Sequence, residues 1–337
     1  MVKLSRIDQN LFDFYFCSIG KGGVAESEII ENGGNAICLN VNHRIGRLGT
    51  FLKVVSMIRK IKPDVIHCSG AEAIFYGVLA GRLLNIKNVI AEEIGIPAPS
   101  SLTRKVFRLV YALAHKVVGE SVVVCEAISR AYCVDQKKLN VVYNFIDCPA
   151  LVSYNKKKSD CIHLLSVCRL EPIKNLIGVI AALSVLKDEG YNFIYSIVGN
   201  GRDFENLIVF AKDVGLNKNV IFHGYNPDPS EYYKSADIFI MNSYSEGFSN
   251  SLLEAMCFRV PVISTKVGGA VDVLINDING WLVDVDDVDG LIEALRHIFQ
   301  LPISERVAVG DRGNDDVRRY FSCQEHTAAL SALYDLQ

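Results

Sequence analysis

Two glutamates, Glu246 and Glu254, stand with seven residues between them in the segment Ser245-Glu246-Gly247-Phe248-Ser249-Asn250-Ser251-Leu252-Leu253-Glu254-Ala255-Met256. The wholly apolar run Ile238–Met241 ahead of them reads as a strand, and the residues from Asn250 onward read as a helix. In sheets wound with helices on both faces, ligands bind beyond the carboxyl ends of the strands. The turn at Gly247 offers backbone N–H groups close to a helix start, where phosphate oxygens are readily held. Glu254, on the second helical turn, is suited to accept hydrogen bonds from a pair of vicinal hydroxyls. Glu246 precedes the helix, closer to a bound group. The competing reading makes Glu246 a helix cap and Glu254 a solvated carboxylate.

Two further strand ends carry chemistry. The run 162–167 leads into Cys168-Arg169-Leu170-Glu171-Pro172-Ile173-Lys174-Asn175, where Arg169 and Lys174 supply two cations suited to a diphosphate leaving group. Val198-Gly199-Asn200-Gly201-Arg202 is a glycine-rich strand-to-helix turn. A surface Arg and Lys and an ordinary turn are the plain alternatives. No CxxC occurs and no histidine pairs with another ligand at i, i+4, so no metal site is expected.

The elements that must position these residues alternate short strands with longer helices, the pattern of parallel sheets covered by helices. In the first half, strands are predicted at 12–18, 36–39, 65–68, 88–91, 116–118 and 141–143, with helices such as 48–60, 71–84 and 102–114. The second half restarts with strands at 162–167, 193–198, 220–223, 238–241, 262–264 and 280–282. Its helices fall at 176–189, 203–214, 229–234, 250–258, 271–276 and 288–299, and a last one at about 324–336. Between the halves, 148–160 loses periodicity and turns polar and basic. The expected organisation is an N-terminal acceptor-binding domain 1–150, a linker 151–160, and a C-terminal donor-binding domain 161–320. A terminal helix, 321–337, packs back on the N-terminal domain. Two Rossmann-like lobes facing a central cleft is the architecture this order implies.

With 337 residues, half of them hydrophobic, the chain can build real cores, which excludes disordered and fibrous classes. It has no uncharged apolar run of membrane-spanning length and no secretory-type start, so a cytoplasmic protein is expected. The ten cysteines, several of them inside apolar runs, read as reduced, mostly buried thiols. Residues 1–150 hold 18 Lys and Arg against 13 Asp and Glu, and residues 151–337 hold 17 against 25. The positive charge concentrates in two apolar-centred stretches. One carries Arg44, Arg47, Lys53, Arg59, Lys60 and Lys62; the other carries Arg104, Lys105, Arg108, His115 and Lys116. Such helices either lie on anionic membrane surfaces or present an ordinary solvated face. Nothing points to nucleic acid.

From Leu164 to Asp284 the sequence resembles the donor domain of the family 4 retaining glycosyltransferases of the GT-B fold. The matching text is SVCRLEPIKN, SIVGNGRDFENL, VIFHGY, SADIFIMNSYSEGFSNSLLEAMCFRVPVISTKVGG and INGWLV, and SEGFSNSLLEAM carries the family's paired glutamates as Glu246 and Glu254. The first half resembles the family through PDVIHCSGAEA and VVYNFID. The resemblance implies that Arg169 and Lys174 hold the donor diphosphate and neutralise its developing charge. It implies that Glu254 binds the nucleotide ribose and that Glu246, with the backbone at Gly247 and Phe248, contacts the donor sugar. The implied donor side thus comprises Arg169, Lys174, Gly199, Gly201, His223, Glu246, Gly247, Phe248, Ser249, Asn250, Ser251, Leu252 and Glu254. No cofactor or metal is expected, and the anomeric configuration is retained. The implied partners are a nucleotide-sugar, UDP-linked, and a lipid-linked saccharide acceptor of O-antigen, capsule or exopolysaccharide assembly, at the inner face of the plasma membrane.

Two departures from the family accompany the match. Relatives begin with an extra strand and a Gly-Gly turn; here Met1 to Asn10 reads as the tail of the following helix, and Gly22-Gly23 follows the second strand instead. The chain therefore reads as N-terminally short, with the N-terminal lobe missing its first strand. Many relatives carry a histidine after the fourth strand, where this chain has Ala91-Glu92-Glu93-Ile94-Gly95. Glu93 is then the acceptor-side carboxylate, as base or orienting group, with His67 at a family position beside it. A solvated Glu93 and a packed His67 are the alternatives. The competing functions are a GT-B sugar-nucleotide epimerase and a truncated, non-catalytic binder of nucleotide sugar.

Overall fold

The computed structural model describes residues 4, 12–42, 44–150 and 161–334. The linker 151–160 and nearly all of the opening ten residues lie outside that range. The chain divides into two compact units, one holding residues up to Val142 and from His326 on, the other Tyr143–Glu325. The division thus falls at Val142, upstream of the composition shift. Residues 143–150 go with the second unit because Tyr143 packs on Phe248 and Phe321 and the Ile146 N–H donates to the Phe321 carbonyl.

The first unit runs β1 (Tyr15–Ser18), α1 (Val24–Glu31), β2 (Asn35–Cys38), α2 (Leu48–Ile61), β3 (Val65–Ser69), α3 (Ala71–Leu83), β4 (Asn88–Glu93), α4 (Ser101–Leu113), β5 (Lys116–Gly119), α5 (Val122–Tyr132) and β6 (Leu139–Val141). All its strand pairs are parallel. Among the described residues they form two sheets rather than one: β1 with β2, and β3-β4-β5-β6 in order. β4 is buried from Asn88 to Ala91, which explains its continuous apolar run. Helices α4 and α5 start on Ser100 and Ser121, whose hydroxyls accept the backbone N–H groups of Thr103 and Val124. Arg104, Lys105 and Arg108 are exposed on α4 beside Leu102 and Leu109, which are 73% and 70% exposed. His115 and Lys116 do not join that face. The ring of His115 accepts the Val89 N–H, and the Lys116 ammonium donates to the Leu333 carbonyl.

The second unit runs β7 (Ile162–Val167), α6 (Leu176–Asp188), β8 (Phe193–Val198), α7 (Phe204–Asp213), β9 (Val220–Gly224), α8 (Ser230–Ser235), β10 (Ile238–Met241), α9 (Asn250–Cys257), β11 (Val262–Thr265), α10 (Ala270–Val273), β12 (Trp281–Val283), α11 (Val288–Gln300), α12 (Ile303–Tyr320) and the start of α13 (Cys323–Tyr334). Its strands form one parallel sheet of order β12-β11-β10-β7-β8-β9. Successive side chains of a strand point to opposite faces, so Ile238 and Ile240 enter one core while Phe239 and Met241 enter the other. The sheet is therefore covered on both faces, as a doubly wound fold requires. Each unit is a Rossmann-like α/β domain.

The cysteine reading needs correction. Cys148 and Cys257 form a disulfide with their Cα atoms 5.2 Å apart, and of the eight free thiols only Cys68 and Cys125 are fully buried. Docking of residues 143–150 against α9 brings the two sulfurs together, which local spacing across 109 residues does not reveal. No helix among the described residues is long and apolar enough to cross a membrane.

Candidate active site

In the second unit, β7 and β10 lie side by side at the centre of the sheet, and the chain leaves them toward opposite edges. Their carboxyl ends consequently flank a crevice, which is where the winding of such a sheet puts a ligand site. The loop after β7 contains a single 3-10 turn, Pro172–Lys174. It ends on Asn175, whose left-handed backbone lets its side chain accept the Gly178 N–H and start α6. The loop after β10 is fixed at three points. Thr265 donates its hydroxyl to the Ser243 carbonyl at 2.7 Å, the Tyr244 N–H donates to Ile173, and the Gly269 N–H donates to Gly247.

These anchors bring Lys174 and Glu246 together across 72 residues, with Nζ 2.5 Å from Oε1. Ser243 donates its hydroxyl to the same carboxylate oxygen at 2.7 Å. The two charged side chains are only 16% and 13% exposed, so each compensates a charge that would be expensive alone. A cavity here is lined by Ser166, Cys168, Lys174, Asn242, Ser243 and Glu246, among others. Burial pushes the Cys168 thiol up to about 12, so it stays protonated and non-nucleophilic.

Glu246 is not the cap of α9. Ser249 is, its hydroxyl accepting the Leu252 N–H. Nor is Glu254 merely solvated: the Tyr233 hydroxyl donates to its Oε2 at 2.9 Å. Phe248 is buried with its ring against Tyr143 and Phe321, and Leu252 is buried too, so only their backbone can face a ligand. Asn250 is exposed at the first position of α9, and Ser251 shares a hydroxyl contact with Ser249. Arg169 is exposed on the β7 loop.

Gly199 and Gly201 serve close backbone approach. Gly199 has φ +145°, and a Cβ on it would run into the Cys168 carbonyl; a Cβ on Gly201 would run into the Leu170 carbonyl. This turn is hydrogen-bonded to the loop bearing Arg169 through Leu170 N–H to Asn200 and Asp203 N–H to Leu170. His223 lies apart from the Lys174–Glu246 pair, on the edge strand β9, where its Nε2 is 3.0 Å from the Ser196 hydroxyl and its ring packs tilted against Tyr232 at 4.6 Å.

In the first unit, Glu93 ends β4 and accepts a short hydrogen bond from the buried Tyr111 hydroxyl. Burial raises its carboxyl, and the Tyr111 bond acts in the opposite direction. His67 lies within β3, Nδ1 2.9 Å from the Tyr334 hydroxyl and Nε2 3.6 Å from Glu92. Its burial lowers the imidazole, against the pull of Glu92. It is a packed histidine under the chain's last described residue. Ser243, Tyr233 and Glu92 are the site-side groups that sequence reasoning missed. Ser243 had a signal, being three residues ahead of Glu246 at a strand end; Tyr233 had none. Among the described residues, no three or more His, Cys, Asp or Glu side chains group to hold a metal.

The family model of Glycosyltransferase Family 4 matches residues 12–149, and that of Glycosyl transferases group 1 matches residues 152–315. The capsular polysaccharide biosynthesis glycosyltransferase CapM of Staphylococcus aureus is 28% identical over 184 residues, 54% of this chain and 48% of that protein. The UDP-Gal:alpha-D-GlcNAc-diphosphoundecaprenol alpha-1,3-galactosyltransferase of Escherichia coli is 25% identical over 280 residues, 77% of this chain and 72% of that protein. The chain thus spans about half the length of the first of these relatives. Among solved structures, a glycosyltransferase from Rickettsia africae superposes with a TM-score of 0.81 at 21% identity, covering 95% of this chain and 88% of that one. Anabaena HepE, crystallised with UDP, gives 0.80 at 18% identity over 94% and 90%. With adjoining family models over both units and solved glycosyltransferases sharing its fold, the chain belongs to the family 4 glycosyltransferases of the GT-B fold.

Proposed function

We propose that the protein is a retaining glycosyltransferase that moves a sugar from a UDP-sugar to a lipid-linked or saccharide acceptor in bacterial surface-polysaccharide assembly. The observation that carries this reading is the Lys174–Glu246–Ser243 cluster at the crevice between β7 and β10, with the Glu254–Tyr233 pair on the elements beside it. An ammonium has three donor hydrogens. With one engaged by Glu246, Lys174 has donors left for diphosphate oxygens, and Arg169, exposed on the same loop, adds a second cation. Their charge stabilises the diphosphate as the anomeric bond breaks. Glu246, fixed by Lys174 and Ser243, accepts hydrogen bonds from donor-sugar hydroxyls, and Glu254 accepts them from the ribose. The close-set turn at Gly199 and Gly201 gives the nucleotide a backbone wall, and His223 closes the donor side at the edge strand. The N–H groups of Asn250 and Ser251 belong to the first turn of α9, where an anion is favoured.

Arg169 and Lys174 supply the neutralising charge from the chain itself, so no cofactor or metal is included in the mechanism. With attack on the face from which the diphosphate departs, the anomeric configuration is kept. Glu93 is the acceptor-side residue of this reading, orienting the acceptor hydroxyl while Tyr111 holds its other edge, and His67, packed against Tyr334, supports the same side of the unit without contacting the acceptor. The relatives named above act in capsule synthesis and on a diphosphoundecaprenol-linked sugar, which supports a lipid-linked acceptor here. The exposed Leu102, Leu109, Lys105 and Arg108 of α4 suit peripheral contact with an anionic membrane at its cytoplasmic face. The test is UDP release from a panel of UDP-sugars with bacterial membrane extract as acceptor source. Sugar-dependent, acceptor-dependent UDP release is expected. Its absence with every UDP-sugar would overturn the UDP assignment.

A further inference from the structure

Tyr233 is the buried partner of Glu254. It sits on the short helix α8, 1% exposed, with its ring stacked parallel on Phe258 at 5.5 Å and tilted against Phe239 at 5.9 Å. Both neighbours hold the ring plane, so the hydroxyl has one direction to point. It points at α9, 2.9 Å from Glu254 Oε2 and 3.3 Å from the Ser251 carbonyl. A phenol has a single proton. The nearer, charged acceptor takes it, because hydrogen bonds to ionised acceptors are the stronger ones. Burial and the neighbouring carboxylate keep the phenol protonated throughout the working pH range.

We propose that Tyr233 is a positioning residue for nucleotide recognition: it fixes the Glu254 carboxylate in the orientation that receives the ribose hydroxyls. This rests on the reading of Glu254 as the ribose-binding residue. A glutamate side chain on a helix has three rotatable bonds, and ordering them on binding weakens affinity. One oxygen tied to a stacked, buried phenol removes that freedom before the nucleotide arrives. The carboxylate is still able to accept from a diol, since two oxygens offer about four lone-pair sites.

The experiment is calorimetric titration of the whole chain with UDP and with 2′,3′-dideoxy-UDP, which lacks the hydroxyls concerned. Tyr233→Phe keeps the ring and its stacking and removes only the hydroxyl. It is expected to weaken UDP binding about tenfold and to leave the dideoxy compound's affinity unchanged. In Glu254→Gln the same discrimination is lost, and adding Tyr233→Phe to it has no further effect. Phe258→Leu, which loosens the stack without touching the hydroxyl, is the control for a purely structural role and leaves the ratio of the two affinities at its original value. Equal weakening of both ligands in Tyr233→Phe, or no weakening of either, would overturn the positioning role. UDP binding untouched in Glu254→Gln would instead overturn the reading of Glu254, and the inference with it.

Discussion

Reducing the Cys148–Cys257 bond is the perturbation whose size follows most directly from the chain. The two residues are 109 positions apart, so the bond closes a large loop in the unfolded state. Loop-closure entropy for that length is about 16 cal/mol/K, which makes the oxidised second unit more stable by about 4.8 kcal/mol at 25 °C. The folded side changes little, because Cys257 stays buried at the end of α9 and a reduced thiol packs as a small hydrophobe. Trp281, the single tryptophan, is 4% exposed in β12 and reports unfolding of this unit. Urea titration followed by its emission, with and without reductant, is the assay. With a slope of about 2 kcal/mol/M, the midpoint falls by roughly 2 M on reduction, and Cys148→Ser reproduces the reduced value under oxidising conditions. An identical midpoint in both conditions, or a non-reducing peptide map that finds both thiols free, refutes the reasoning.

Two further outcomes are expected. Lys174→Ala lowers kcat about 100-fold while donor KM moves less than tenfold, because the ammonium acts on charge that develops during departure. Steady-state kinetics check this, and a loss confined to KM contradicts it. His67 is held neutral by burial, below its ordinary value of 6.5, so the unfolded state binds the extra proton first. Its contribution to stability is complete above pH 6.5 and is lost as pH falls, by up to about 1.4 kcal/mol per pH unit. Thermal unfolding between pH 7.5 and 5 reads this slope, and His67→Gln flattens it; an unchanged slope in that variant sinks the assignment.

The alternating pattern made most of the fold legible, because both faces of the second unit's single sheet are built from plain apolar strands such as Ile238–Met241. Among the elements that escaped, three did so for physical reasons. Helix α12 packs through Gly310 on the Arg259 carbonyl and Gly313 on Asn279 and Met256, so its buried side has little apolar bulk to show a period. Helix α5 opens on three consecutive valines, residues that favour strands, and is started by the Ser121 cap. Strand β6 sits two residues ahead of the run 141–143, since its ladder pairs Leu139 to Val141 with β5. At the site, Lys174 and Glu246 were legible because strand-end polar residues stand out against apolar runs, and Glu254 by its spacing from Glu246. Their partners were not. Tyr233 reaches Glu254 across 21 residues and Thr265 reaches Ser243 across 22, and such pairings exist only once the sheet is wound.

The separation of β1 and β2 from the four-stranded sheet bears on how the first unit comes apart. Four residue pairs of parallel ladder, alternately exposed, hold the two-stranded piece, whereas β3 to β6 share a continuous ladder and a common core. A pair of that size is marginal by itself. The unit therefore contains two cooperative blocks of unequal strength, and the smaller can open sub-globally while the larger stays closed. Amide hydrogen exchange is therefore expected to be faster in the Tyr15–Cys38 block than in β3 to β6.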